Sequence, residues 1–171
     1  MPSKEIQIII GLIFVSLIVI FGIIYMIFSK KEAKINSLLG KYLDLINLKN
    51  DLLPSILISL KKYFPDKDSL INETITLRSQ SYSARKDLKT RKEIEKSVTQ
   101  KISEIIKLAI ENDELKQDPT FIELSKKLSE TKTKINEQKE QYNILTNKFN
   151  KFRKYLIIFS VILRIKPIET C

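Results

Sequence analysis

Histidine is absent from this chain of 171 residues, and cysteine occurs once, as Cys171. Without an imidazole there is no Ser-His-Asp triad, no Cys-His pair and no histidine metal site. One cysteine leaves no internal disulfide and no zinc finger. Glycine is nearly as scarce: the three copies are Gly11, Gly22 and Gly40, so the last 131 residues have none. Phosphate-cradling loops use glycine where backbone amides approach the anion, and tight hairpins use it for positive φ. Nucleotide-binding α/β folds and hairpin-rich β folds are therefore disfavoured. No motif calls for a cofactor, a metal or a small-molecule substrate. The composition points to a helical, charged, non-enzymatic protein.

What the chain does contain is one long apolar run. Ile8 to Phe28 is 21 residues without a charge, and only Ser16 and Tyr25 carry polar side-chain atoms. At about 1.5 Å rise per residue, a helix of that length reaches across the ~30 Å hydrocarbon core of a bilayer. A cleaved secretory signal has a shorter apolar stretch, usually about 7 to 15 residues, ending in small residues. Here the run continues into Ser29-Lys30-Lys31-Glu32 with no Ala-x-Ala pattern, so it reads as an uncleaved anchor. Lys4 stands ahead of the span, whereas Lys30, Lys31, Lys34 and Lys41 follow it. By the positive-inside rule this places the N-terminus outside and the remainder in the cytoplasm. The chain divides into a short flank (1–7), a transmembrane helix (8–28), a helical domain (29–166) and a C-terminal tail (167–171).

Beyond the span, the pattern predicts an all-α antiparallel bundle of three to four long helices. The first helix continues through Lys34, Leu38, Tyr42, Leu45 and Leu48. Pro54 has no amide to offer the carbonyl of Asn50, which predicts a kink or restart near Asp51, with Asp51 as an N-cap if the helix breaks. Pro65 ends the next apolar run, and Asp66 or Asp68 is the expected cap beyond it. From about Ser69 to Asn112 the apolar spacing is firm only at the end, in Ile94, Val98, Ile102, Ile105 and Ala109. Residues 78–92 allow either a turn or an unbroken helix. Asp118-Pro119 then reads as cap and first residue of the last long helix.

That helix carries the strongest periodicity. Phe121, Leu124, Leu128, Thr131, Ile135, Gln138, Tyr142, Leu145, Phe149, Phe152 and Leu156 follow one another in alternating steps of three and four. Such a stripe packs against neighbouring helices at shallow angles. It serves either an oligomerising coiled coil or the core face of an antiparallel bundle, and the short connections at Pro65 and residues 113–118 favour the latter. Tyr155 to Leu163 is a further apolar stretch, too short to cross a bilayer. It either caps the bundle core, the more ordinary outcome, or lies at the lipid interface with Arg164 and Lys166 toward headgroups.

The net charge of +10 is spread out, with acidic side chains interleaved among basic ones throughout. Only five of the thirty basic residues are arginine, the side chain that forks onto phosphates and bases. This argues against nucleic-acid binding and for solvated helix faces. Lys30, Lys31 and Lys34 read as a stop-transfer flank beside anionic lipid. Glu123, Glu130 and Glu137 share a helix face, but Lys126, Lys127, Lys134 and Lys139 surround them, which suits surface ion pairing rather than acid–base chemistry.

The order of these features resembles the LemA family of bacterial membrane proteins. After a single span comes Asp51-Leu52-Leu53-Pro54-Ser55-Ile56-Leu57, similar to the family's Asp-Leu-Ile-Pro-Asn-Leu-Val. Phe121, Leu124 and Leu128 match its Phe-x-x-Leu-x-x-x-Leu stretch, and Tyr142-Asn143 matches its Tyr-Asn pair. The likeness covers roughly residues 30–166. It departs at Leu48-Lys49, where family members carry two basic residues, and at Leu163-Arg164, where they carry Gly-Phe. The resemblance implies a helical bundle on one membrane anchor, N-terminus outside, with a role in the cell envelope and no established catalytic residues. The expected partners are the lipid bilayer and a membrane or envelope protein, with self-association allowed. A reading from another class is a stalk or coiled-coil subunit of a membrane complex, like the b subunit of a rotary ATP synthase or a division or signalling coiled coil.

Overall fold

The computed structural model describes residues 3–85 and 87–171, so the first two residues of the N-terminal flank and Lys86 lie outside the described residues. It is all-α. The helices are α1 (Lys4–Tyr63), α2 (Asp68–Ser83), α3 (Leu88–Glu111), α4 (Asp113–Gln117), α5 (Pro119–Tyr155) and α6 (Ile157–Ile162). They form two compact units, one of residues 1–40 with 140–170, the other of residues 41–139 with Cys171. Both α1 and α5 are long enough to contribute to each.

The larger unit is held by one apolar core. Leu53, Ile56, Leu57 and Leu60 of α1 meet Leu70 and Ile71 of α2, and Val98, Ile102, Ile105 and Ala109 of α3. Leu115 of α4 and Phe121 and Leu128 of α5 complete it. Polar pairs give the helix directions. Lys61 pairs with Asp68 at 2.9 Å while Asn50 reaches Ser81, so α2 runs antiparallel to α1. Lys101 pairs with Glu73 at 2.7 Å while Ser81 donates to Glu95, so α3 reverses again.

The stretch 78–92 is not one unbroken helix. Helix α2 stops at Ser83, and Asp87 caps α3 by accepting from the amides of Lys89 and Thr90. Asp118 does the same for α5, accepting from Thr120 at 2.8 Å and Phe121 at 3.1 Å. The hydroxyl of Tyr63 donates to its other oxygen at 2.9 Å. The Phe121 amide first, and then this hydroxyl, hold the Asp118 carboxyl below its ordinary range. Neither Asp66 nor Asp68 caps α2: the cap position is Lys67, without a side-chain bond, and Asp68 supplies first-turn charge instead.

The expected break at Pro54 does not occur, because α1 runs through it to Tyr63. Proline removes the donor that the Asn50 carbonyl needs. Arg78 of α2 supplies another, its Nε donating to that carbonyl at 2.8 Å. Asp51 is then not a cap. It accepts from the Tyr82 hydroxyl at 2.6 Å and lies 3.4 Å from Arg78. A donor borrowed from the neighbouring helix lets α1 continue.

In the smaller unit, α5 runs antiparallel to the early part of α1. The ring of Phe28 packs edge-on against Phe149 (centroids 5.8 Å apart) and tilted against Phe152 (5.0 Å), and Phe21 meets Phe159 at 4.8 Å. The stretch Tyr155–Leu163 therefore does not cap the bundle core. Its helix, α6, lies beside the apolar run of α1, where Phe159 meets Phe21. Leu156 is the N-cap of α6 and thus ends the α5 seam at Phe152. Helix α6 closes with the Arg164 amide on Val161 (3.1 Å) and the Ile165 amide on Ser160 (2.8 Å), and Arg164 takes the left-handed φ of 53° that this closure needs. The chain then returns along α5: Asn150 exchanges two bonds with the Ile168 backbone, and Tyr142 donates to the Glu169 carbonyl at 2.7 Å.

Arg78→Ala is expected to lower stability by about 1–2 kcal/mol, since a buried carbonyl loses a charged donor. In a Pro54→Ala background, where the amide at position 54 serves that carbonyl, the same change should cost measurably less. Thermal unfolding of the four-member cycle in detergent checks this. Equal losses in both backgrounds would contradict the role of Arg78.

Candidate functional site

Two features stand apart from ordinary core packing: an exposed apolar surface near the N-terminus and a buried polar junction among α1, α2 and α3.

The first is the run predicted as the span. From Ile6 to Ile27 nearly every large apolar side chain is exposed, Leu12 to 66% and Phe14 to 65%. No residue in the stretch of greatest hydropathy is buried, and the stretch belongs to the one helix long and apolar enough, among the described residues, to cross a membrane. Exposure on this scale suits a lipid surrounding. Its far end is set by Phe28, which is buried against α5. Lys30, Lys31 and Lys34 follow, all exposed. Lys148 of α5 joins Lys31 and Lys34 around a cleft of about 220 Å³ floored by Ile35, Leu145 and Phe149, and the Lys31 ammonium sits 5.1 Å from the Phe152 ring centroid. Spacing along α1 alone reveals Lys31 and Lys34 but not the lysine that α5 brings to them.

The second feature escaped sequence reasoning. Glu95 of α3 is buried, and both its oxygens are engaged. Oε2 accepts from the Lys49 ammonium, and Oε1 accepts from Ser81 and, at 2.8 Å, from the Asn50 amide, which also donates to Ser81 at 3.1 Å. One turn earlier on α3, Arg91 is only 2% exposed and donates to the Asn47 side chain at 2.6 Å. Its Nε and Nη1 meet no partner, nor does Asn50 Oδ1. The junction thus encloses two cations and one carboxylate. Burial pushes the nearby Tyr42 hydroxyl up to about 12, with the negative charges of Cys171 and Glu95 adding to the effect and Arg91 opposing it. Tyr42 accordingly stays protonated at neutral pH. The Cys171 thiol is likewise pushed up, chiefly by burial.

A signal for the junction was present. Stepping back from Val98 in fours and threes lands on Glu95 and Arg91, and stepping back from Leu53 on α1 lands on Lys49. Charges at core positions of a regular stripe are buried charges, and a buried charge needs a partner. No group of His, Cys, Asp or Glu able to hold a metal occurs among the described residues. With its carboxylate saturated, the junction joins three helices and offers no free base.

The remaining predicted residues fall as follows. Leu53 is buried in the core, Leu52 packs against it, and Asp51 and Pro54 belong to the Arg78 contact. On α5, Phe121, Leu128, Tyr142 and Phe149 are buried, while Leu124, Ile135, Asn143, Leu145, Phe152 and Leu156 are half-buried. Lys127 pairs with Glu123 at 2.6 Å, and that contact holds the exposed Glu123 carboxyl below its ordinary range.

Glu95→Ala strands Lys49 and is expected to destabilise by about 3–5 kcal/mol, whereas Lys49→Met with Glu95→Leu should recover most of that loss. Thermal unfolding in detergent reads both. A single variant within about 1 kcal/mol of the parent would show the pair to be dispensable.

The family model described as LemA family matches residues 44–161. No curated protein and no solved structure matches the chain.

Proposed function

The chain belongs to the LemA family, and from that premise we propose that it is a non-enzymatic, single-pass membrane protein whose helical domain is an envelope-associated scaffold or interaction module. The observation that carries this is the change of character within one helix. Helix α1 exposes most of its apolar side chains from Ile6 to Ile27, then buries a stripe through Tyr42, Ile46, Leu53, Ile56 and Leu60. The first half is built for lipid and the second for protein.

The basic residues after the span support a cytoplasmic domain and an external N-terminus. Lys148, Lys151 and Lys154 of α5 add to that count, since α5 runs beside the same end of the span. The reversals of direction from α1 to α2 and from α2 to α3 support a folded-back domain over a continuous stalk. Bonds within each helix hairpin supply the seams with partners from the same chain, so no second copy is needed to cover them.

Two measurements test this reading. Protease added to spheroplasts should leave the segment after residue 29 intact and digest it only after lysis. Digestion from outside would reverse the topology. A photo-crosslinker at the exposed Lys132 should capture one recurrent envelope neighbour from intact cells. Capture of nothing beyond solvent-exposed background proteins would remove the scaffold role.

A further inference from the structure

The C-terminal helix α6 has no use in the anchor reading, yet it is the most apolar exposed feature outside the span. Tyr155 is 86% exposed, Ile158 70% and Val161 68%, with Ile157 and Ile162 at 58% each. Ser160 is buried and Phe159 half-buried, so α6 has one face toward protein and one face uncovered. We infer that this uncovered face is a second membrane contact, occupied by the lipid acyl chains of the leaflet that borders the basic end of the span. This inference rests on the anchor reading and extends it.

Depth is the first argument. Phe159 stacks on Phe21, which lies seven residues inside Phe28 on a helix rising about 1.5 Å per residue. The two residues therefore share a level roughly 10 Å toward the bilayer centre from Phe28. At that level the apolar side chains of both helices are exposed: Ile18, Val19 and Ile20 on α1, Ile158, Val161 and Ile162 on α6.

Backbone satisfaction is the second, because lipid supplies no hydrogen bonds. Three of the last four α6 carbonyls are taken up: Phe159 by Leu163 at 2.8 Å, Ser160 by Ile165 at 2.8 Å, Val161 by Arg164 at 3.1 Å. The Ser160 hydroxyl donates to Ile157 at 2.9 Å.

Flanking charge is the third. Lys151 and Lys154 precede the helix, and Arg164 and Lys166 follow it. These long side chains reach headgroups while their stems remain apolar. Six helical residues span only about 9 Å, so α6 lies within one leaflet rather than crossing the bilayer. The return segment, pinned at Asn150 and Tyr142, brings the chain back out.

The test uses the full chain with Cys171→Ser, which removes the one native thiol. Bimane is attached in turn at Ile158→Cys, at Val161→Cys, at Ile18→Cys in the span and at Lys132→Cys in the domain. Each protein is reconstituted into phosphatidylcholine–phosphatidylglycerol vesicles, with brominated acyl chains or aqueous iodide as quencher. Bromolipid should quench bimane at positions 158 and 161 at least half as strongly as at position 18, and iodide should leave them bright. If position 18 is quenched by bromolipid while 158 and 161 respond to iodide as 132 does, α6 lies in water and the inference fails with the anchor intact. Positions 158 and 161 dark to neither quencher would mean that protein covers the helix, which also overturns it. A position 18 that responds to iodide would remove the anchor reading itself.

Discussion

Water cannot solvate a helix that is apolar on every side, and this constraint orders the whole molecule. Over Ile6 to Ile27 helix α1 exposes most of its isoleucine, leucine, valine and phenylalanine side chains. In a bilayer each such residue contributes favourably by about 0.3–0.6 kcal/mol, whereas one charged residue at the centre costs about 3. The run has no charge to set against that gain. Once the first part of α1 is committed to lipid, its continuation starts at a membrane surface and must find protein partners there.

Those partners come from the same chain. Aromatic packing of Phe28 with Phe149 and Phe152 closes one end of the α1–α5 pair, and the leucine–isoleucine core around Leu53 and Leu60 closes the helices of the larger unit. Between apolar layers of that unit sits the junction of Lys49, Asn50, Ser81 and Glu95. Such a polar layer adds little net stability compared with an apolar substitute. Its effect is on alignment: a carboxylate that must meet three donors from two other helices fixes the register in which α1, α2 and α3 pack.

Much of this was legible in the residues alone. The all-α class and the one long apolar N-terminal helix follow from length, charge and period, because each is a property of consecutive residues. The Asp87 and Asp118 caps are local too, although only the second stood beside a proline that advertised it. What stayed hidden depends on residues far apart in the chain. Pro54 predicts a break until Arg78, on another helix, is known to serve the Asn50 carbonyl. Lys49, Arg91 and Glu95 look like members of a solvated face until the stripe is extended back to them. The apolar stretch after Tyr155 suits a core cap equally well until Phe159 is seen against Phe21. In each case one distant contact decides what local propensity leaves open.

The most direct measurement of the central claim is extraction of membranes from cells making the full chain with alkaline carbonate, which strips peripheral proteins. The chain should stay in the pellet and leave it only with detergent. Release into the carbonate supernatant would show that Ile6 to Ile27 is not held in lipid, and the account built on it would be wrong.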